Sequence, residues 1–302
     1  YWLFHPSTMW RPFPPWWLCG ILFGPLRWFQ AELPDLYTRL LKMLILFWEG
    51  LPGLGLDCLA RQVVWIDNKL AVEWWWLKGH AVDKRTTILW IPGGAFLLRM
   101  PTCQLFSQRL LEKLASLQPT EMPRILELKY SLPASPDTLQ QVRSVLDWLK
   151  AEGCDRVILA GDSAGGYLSV HALLADDMPG VVGGLAICPW LDLTMSGPSY
   201  QRNAFACFLH HQWLQFARQK FLGVDSLEAA KNYSYTFHLT SSQQQKLRDL
   251  PLLLVATELD LLQSDAMAFA QLAQVDHLEV AGFHDALLFP FFHDKSHQRA
   301  FE

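Results

Sequence analysis

One short segment constrains the fold of this 302-residue chain more than any other: Gly161-Asp162-Ser163-Ala164-Gly165. An apolar stretch over residues 157–160 predicts a short buried strand before the segment, and residues 166–174 predict a helix after it. A serine between glycines at a tight strand-to-helix turn fits the pattern G-x-S-x-G, which exposes a nucleophilic hydroxyl at the edge of a sheet. We therefore expect acyl-transfer chemistry at Ser163 rather than an ordinary glycine-rich turn.

The composition limits the class of protein. Hydrophobic residues make up 51% of the chain, which is enough for the core of one large α/β domain. The net charge of −4 and the absence of a basic run argue against nucleic acid as a partner. The six cysteines include no C-x-x-C pair, so we expect buried free thiols, although their even number leaves disulfide bonds open.

The first sixty residues differ in character from the rest. The apolar run over residues 16–26 is too short to span a bilayer, and Gly20, Gly24 and Pro25 argue against a regular helix there. Tryptophans beside arginines are typical of segments that lie in the headgroup layer, and residues 36–48 predict an amphipathic helix. Two interpretations stay open for residues 1–60: contact with a membrane surface through residues 1–50, or packing on the catalytic domain as part of its cap.

The chain begins at Tyr1 rather than at a methionine. We expect that residues preceding it, and any targeting signal they carry, lie outside this sequence. Both a membrane-associated location, such as the endoplasmic reticulum, and a cytoplasmic one stay open, as does the oligomeric state.

From residue 61 onward, segments with the pattern of strands alternate with segments with the pattern of helices. This order predicts an α/β fold with a mostly parallel sheet, covered by helices on both faces, over residues 61–302. The predicted strands are 62–67, 71–78, 86–91, 124–130, 157–160, 181–188, 252–257 and 277–281, and the predicted helices are 102–117, 137–151, 166–174 and 266–273. Residues 192–250 interrupt the alternation, and we interpret them as a helical lid insertion over the carboxyl ends of the strands.

A serine nucleophile needs a general base and an acid that orients it, in the chain order Ser, Asp or Glu, His. The strand 252–257 is followed by two acids, Glu258 and Asp260. We choose Asp260, because strand alternation turns Glu258 to the opposite face, and Asp265 is expected to open the next helix.

The last strand is followed by His284, which we assign as the general base. His277 lies at the other end of that strand and is expected to face away. A capping role for Asp260 and a structural role for His284 are the alternatives, but three such residues at successive strand ends in this order favour a triad of Ser163, Asp260 and His284.

The tetrahedral intermediate of acyl transfer needs backbone N–H donors, and small residues let a backbone approach it. The turn Pro92-Gly93-Gly94-Ala95 follows the strand 86–91 and predicts an oxyanion hole from the amides of Gly93, Gly94, Ala95 and Ala164. A plain proline-glycine turn is the alternative. His293 and His297 have helical i, i+4 spacing but lack the glutamate of H-E-x-x-H, so we expect no metal and no other cofactor.

Over roughly residues 61–302 the chain resembles the hormone-sensitive-lipase-like branch of the α/β-hydrolases, which includes microbial carboxylesterases, arylacetamide deacetylases and fungal steryl acetyl hydrolases. Residues 161–166 match the family's G-D-S-A-G-G, residues 130–133 are similar to its Y-R-L-A-P segment, and residues 258–260 are similar to its acid turn. The resemblance implies the same triad of Ser163, Asp260 and His284. The chain departs from the family's H-G-G-G, where Pro92 stands first, and from its proline after the acid, which is Leu261.

These observations predict a serine esterase that removes short acyl groups, such as acetyl, from a hydrophobic alcohol without a cofactor. An amidase with the same triad is one alternative. A non-catalytic receptor that binds a ligand in the old pocket is another, and the presence of His284 argues against it.

Overall fold

The computed structural model describes residues 16–49, 58–117 and 121–288. Its centre is an eight-stranded sheet with the order β1-β2-β4-β3-β5-β6-β7-β8. The strands are β1 (Leu59–Ile66), β2 (Leu70–Leu77), β3 (Val82–Ile91), β4 (Met122–Lys129), β5 (Arg156–Asp162), β6 (Val181–Ile187), β7 (Leu252–Thr257) and β8 (Asp276–Val280). The helices are α1 (Trp16–Glu32), α2 (Pro34–Glu49), α3 (Thr102–Leu117), α4 (Thr138–Ala151), α5 (Ser163–Leu174), α6 (Ser199–Arg202), α7 (His211–Leu222), α8 (Leu227–Asn232), α9 (Ser241–Asp249) and α10 (Gln263–Ala273).

The sheet confirms the predicted α/β fold. Strands β1 and β2 form an antiparallel pair, β2 runs antiparallel to β4, and all other neighbours in the sheet are parallel. Each predicted strand is present, with ends that differ by a few residues. Because β3, β5 and β7 run in the same direction, the loops after them meet at one edge of the sheet.

The central strands carry apolar side chains on both faces, as covered parallel strands require. Leu89 on β3 pairs with Leu126 on β4 and with Leu159 on β5, and all three are fully buried. Helix α5 is buried almost along its whole length, which explains its nearly uniform apolar sequence. The well-packed core of the sheet therefore fixes the positions of the residues that follow these strands.

The N-terminal helices correct one expectation. Helix α1 runs without a break from Trp16 to Glu32 with Pro25 inside it, although we expected glycine and proline to interrupt a regular helix there. Proline removes only one donor from the backbone ladder, and packing of α1 against α2 and α7 compensates for the weak local propensity. The Gln30 side chain also donates to the carbonyl of Phe208, 3.1 Å away, on the segment before α7.

The N-terminal helices and the insertion pack together over the sheet edge. The indole N–H of Trp213 on α7 donates to the hydroxyl of Thr38 on α2 at 3.1 Å, and the Tyr37 ring contacts the Trp213 ring edge-on at 5.3 Å. We call helices α1 and α2, together with residues 199–249 that carry α6 to α9, the cap. Within the described residues, no helix is long and apolar enough to cross a membrane. The domain boundaries at residues 60, 192 and 250 remain predictions.

Candidate active site

The turn between β5 and α5 holds Ser163 in a strained backbone conformation, with φ of +52°. Left-handed φ is uncommon for a residue with a side chain, and it is typical of functional turns. A Cβ atom added to Gly161 would lie 2.5 Å from the carbonyl oxygen of Ile91, and one added to Gly165 would overlap that oxygen. Both glycines are therefore required for the turn to pack against the end of β3.

Asp162 ties this turn to the loop after β3. Its Oδ1 accepts hydrogen bonds from the Gly93 amide at 3.0 Å and from the Thr102 hydroxyl at 2.8 Å. The carboxyl is fully buried, and burial, reinforced by the nearby charge of Asp285, raises its pKa well above the ordinary range. The contact fixes the position of Ser163 relative to the 92–96 loop.

The loops after β7 and β8 bring Asp260 and His284 together. Oδ2 of Asp260 lies 2.8 Å from Nδ1 of His284, and both side chains are buried. The Leu262 amide donates to the other carboxylate oxygen at 3.1 Å, which fixes the acid.

The alternatives to these two residues lie elsewhere. Glu258 and His277 are exposed, and His277 lies on β8 itself. Asp265 is in the first turn of α10, as expected, where it accepts hydrogen bonds from the Tyr200 hydroxyl at 2.9 Å and the Asp192 amide at 3.2 Å. His293 and His297 lie outside the described residues.

The second ring nitrogen of His284 faces another carboxylate. Nε2 lies 3.1 Å from Oδ2 of Asp285, the next residue in the chain. Ser163 and His284 line one cavity, but the close polar contact of Nε2 in this structure is with Asp285. Burial opposes a charge on the His284 ring, yet Asp260 and Asp285 together outweigh it and hold the pKa of His284 well above its usual value.

Three of the four predicted oxyanion donors have free amides. The Gly93 amide is bonded to Asp162, so it is unavailable to a substrate. Within the described residues, the amides of Gly94 and Ala95 donate no hydrogen bond, and Ala164 is in the first turn of α5, where helical N–H groups have no partner in the helix. Ala95 has φ of +53°, so the loop turns sharply at this point.

Two side chains that the sequence did not single out hold this loop. The buried hydroxyl of Tyr130 donates to the carbonyl of Pro92 at 2.8 Å, and it also lies 3.2 Å from the carbonyl of Leu98. Phe96, fully buried, stacks between the rings of Trp190 and Phe221. The backbone that carries the free amides of Gly94 and Ala95 is thus braced by buried side chains.

A cavity of about 350 Å³ connects these groups. Ser163, His284, Asp285, Gly94 and Ala95 lie on its wall together with Thr102. The rest of the wall is almost entirely apolar and comes mainly from the cap: Leu26, Tyr37, Leu41, Met100, Phe208, Leu209, Trp213, Leu214 and Phe283. Leu26, Tyr37 and Leu41, which lie within the possible membrane segment of the sequence analysis, therefore supply part of the pocket.

A thiol adjoins the acid and base. Donor atoms of Cys188, Asp260 and His284 all lie within 4.8 Å of one another, the one group with such spacing among the described residues. Asp260 and His284 are already hydrogen-bonded to each other, so the buried thiol of Cys188 adjoins a paired carboxylate and imidazole. Cys188 and the four other cysteines whose side chains are described are free thiols.

Sequence reasoning did not find Asp285, Thr102 and Cys188. Asp285 was visible as an acid directly after the assigned base. The other two reach the site from α3 and from the end of β6, and their spacing in the chain gives no signal of this.

Comparison with known proteins agrees with this fold. A model of the alpha/beta hydrolase fold family matches residues 88–283, well over half of the chain. A protein named acetyl-hydrolase, from Streptomyces hygroscopicus, is 30% identical over 209 residues, which is 66% of this chain and 64% of that protein. The matched region thus spans less than two thirds of the length of that relative.

Solved structures show the same fold at lower identity. An esterase from the bacterial hormone-sensitive lipase family superposes with a TM-score of 0.67 at 22% identity, over 96% of both chains. The esterase rPPE in complex with (S)-Ac-CPA gives 0.71 at 18% identity over 94% of this chain and 93% of that one. A hyperthermophilic esterase from the archaeon Pyrobaculum calidifontis gives 0.64 at 16%, over 93% and 94%.

Proposed function

Because this chain belongs to the α/β-hydrolase fold family, we propose that it is a serine hydrolase that cleaves short-acyl esters of hydrophobic alcohols. The observation that carries the proposal is the 2.8 Å bond between Asp260 and His284 at the wall of an apolar cavity that Ser163 also lines. The acetyl-hydrolase relative supports a short acyl group such as acetyl. Membership of the hormone-sensitive-lipase-like branch is part of this proposal.

In the proposed reaction, the hydroxyl oxygen of Ser163 attacks the ester carbonyl, and its proton passes to Nε2 of His284. Asp260 holds the ring by Nδ1 and stabilises its positive charge. The amides of Gly94, Ala95 and Ala164 donate to the oxyanion. His284 then protonates the leaving alcohol, and a water molecule, activated by the same ring, hydrolyses the acyl-enzyme and restores the Ser163 hydroxyl.

The cavity wall supports an apolar alcohol group. Cap side chains such as Leu209, Trp213 and Leu214 surround the space in front of Ser163, and they offer a nonpolar leaving group favourable burial. A volume of about 350 Å³ suits a small substrate better than a long acyl chain with a bulky alcohol.

The test is hydrolysis of p-nitrophenyl esters of increasing chain length by the wild type, by Ser163→Ala and by Ser144→Ala. Ser144 is an exposed helical serine whose hydroxyl bonds only to the carbonyl of Gln140, so it is a matched control. We expect short-chain activity in the wild type and the control, with near-complete loss in Ser163→Ala. A fluorophosphonate probe should label the same two active proteins.

Two outcomes would redirect the proposal. Faster turnover of anilides than of matched esters would indicate an amidase. Tight binding of a hydrophobic ligand with no hydrolysis and no labelling would indicate a receptor.

We also propose that the outer face of α2 contacts a lipid surface. Leu36, Leu40, Met43 and Leu44 are exposed there and form one stripe at helical spacing. The stripe adjoins Tyr37 and Leu41, which line the cavity, so an apolar substrate could enter from the lipid side. The proposal predicts that the wild type sediments with lipid vesicles and that Leu40→Glu with Met43→Glu does not; equal sedimentation would refute it.

A further inference from the structure

Asp285 has an unusual position directly after the proposed base. It follows β8 in a short loop, and its φ of +56° is a conformation that Asp and Asn tolerate better than most residues. The residue is 7% exposed and lies on the wall of the cavity that Ser163 also lines. Its Oδ1 has no hydrogen-bond partner.

The contact of Asp285 with His284 conflicts with the proposed chemistry. Nδ1 of His284 is held by Asp260, so Nε2 is the nitrogen that must accept the Ser163 proton. In this structure Nε2 instead pairs with Oδ2 of Asp285 at 3.1 Å. The ring therefore lies between two carboxylates, an arrangement that suits an imidazolium and not a free base.

Other ionisable groups face the ring from every side. Asp162 contributes a buried carboxyl from the turn before α5, Cys188 a thiol from the end of β6, and Cys207 a thiol from the cap. Burial raises the pKa of Cys188 to about 12 and of Cys207 to about 11, so both thiols are neutral near pH 7. Asp260 and Asp285 are thus the acids whose oxygens lie within 3.1 Å of the ring nitrogens. Burial raises the pKa of Asp285, and the neighbouring His284 charge opposes this rise.

We propose that Asp285 is a positioning residue that holds Nε2 of His284 in the resting protein and so competes with Ser163 for the base. This inference rests on the proposed hydrolase function. Two consequences follow. The Asp285 contact must break before Ser163 can be deprotonated, and a charged Asp285 favours the protonated, inactive ring.

The first experiment compares pH profiles of kcat/KM for the wild type, Asp285→Asn and Glu258→Gln. Asparagine keeps the shape and tolerates the backbone conformation but carries no charge. Since hydrolysis requires the neutral ring, kcat/KM decreases when the pH is lowered below the pKa of His284. Removing the Asp285 charge lowers that pKa, so we expect the acidic limb of Asp285→Asn to move down by about one pH unit or more.

Glu258→Gln is the matched control. It removes one negative charge near the same sheet edge, but Glu258 is exposed and bonds to neither His284 nor Asp260 through its side chain. We expect the acidic limb of its pH profile to lie at the same pH as in the wild type. The acidic limb of Asp285→Asn could instead stay at the wild-type pH, with kcat/KM changed by the same factor at every pH. That result would give Asp285 only a structural role and would overturn the proposal.

The second experiment does not depend on activity. Nitrogen NMR of ¹⁵N-histidine-labelled protein follows the His284 ring through a pH titration, with the signal assigned by its absence in His284→Gln. We expect the wild-type ring to titrate above the ordinary histidine pKa of about 6.5. Titration at or below that value would overturn the Asp285 proposal. Failure of the hydrolase proposal would instead show as absent esterase activity and labelling at every pH.

Discussion

Phe96, next to the proposed oxyanion donor Ala95, stacks on Phe221 of the cap with ring centroids 4.0 Å apart and planes at 18°. Both rings are buried, and Phe96 also stacks on Trp190, just after β6. The cap helix α7 therefore packs directly on the loop that is expected to stabilise the oxyanion. The conformation of the 92–96 loop therefore depends on the cap.

We predict that Phe221→Ala lowers the free energy of unfolding by about 3 to 5 kcal/mol, because it leaves a cavity under the cap. It should also lower kcat, since the loop loses one side of its stack. Phe216→Ala on the same helix is the control, because Phe216 is only half-buried and its effect should be smaller. Urea unfolding and steady-state kinetics measure both quantities; equal effects of the two variants would contradict the prediction.

Asp260→Asn should lower kcat on the order of 10⁴-fold, as expected when the base loses the carboxylate that orients it. The amide is similar in size, so the fold should be retained. Glu258→Gln should leave kcat nearly unchanged at its optimum pH, because its side chain is exposed. A larger loss of kcat in Glu258→Gln than in Asp260→Asn would show that Glu258, and not Asp260, orients the base.

Leu41→Trp should restrict the substrate range. Leu41 lines the cavity from α2, so a larger side chain there removes space in front of Ser163. We expect kcat/KM to fall about tenfold for butyrate or bulkier esters, because one or two methylene groups no longer fit the cavity. For acetate esters kcat/KM should change little. Leu44→Trp, on the exposed face of the same helix, should leave the preference as it is.

His171 predicts a pH dependence of stability. The partly buried ring lies on α5 and is paired with the Tyr235 hydroxyl, and removal from water lowers its pKa to about 4. The unfolded chain, with a histidine pKa near 6.5, binds a proton that the folded chain does not between these values. The group therefore removes stability as the pH falls, by about 2 kcal/mol at pH 5.

His171→Gln lacks this ionisation, so its stability deficit relative to the wild type should shrink from pH 7.5 to pH 5. Urea unfolding at several pH values checks the difference. Because Asp162, Asp285 and His284 ionise equally in both proteins, they cancel in the comparison. A difference in free energy of unfolding that stays constant with pH would show that the folded chain does not hold the His171 ring neutral.

The amino-acid sequence was enough to predict the fold class and much of the element order, because strand and helix periods and the turn around Ser163 are local patterns. It also placed Asp260 and His284 after successive strands, where parallel topology brings loop residues to one edge. It was wrong about the break in α1, because a single missing donor at Pro25 is outweighed by packing against distant helices.

The arrangement of the site depends on contacts that exist only in the folded chain. The Gly93 amide bonds to Asp162 because the turn before α5 packs against the loop after β3, and no spacing in the chain encodes that contact. The pairing of Asp285 with Nε2 of His284 likewise depends on side-chain directions in a buried loop. Local propensity specifies elements over a few residues, whereas hydrogen bonds between residues some seventy positions apart exist only after the sheet has formed.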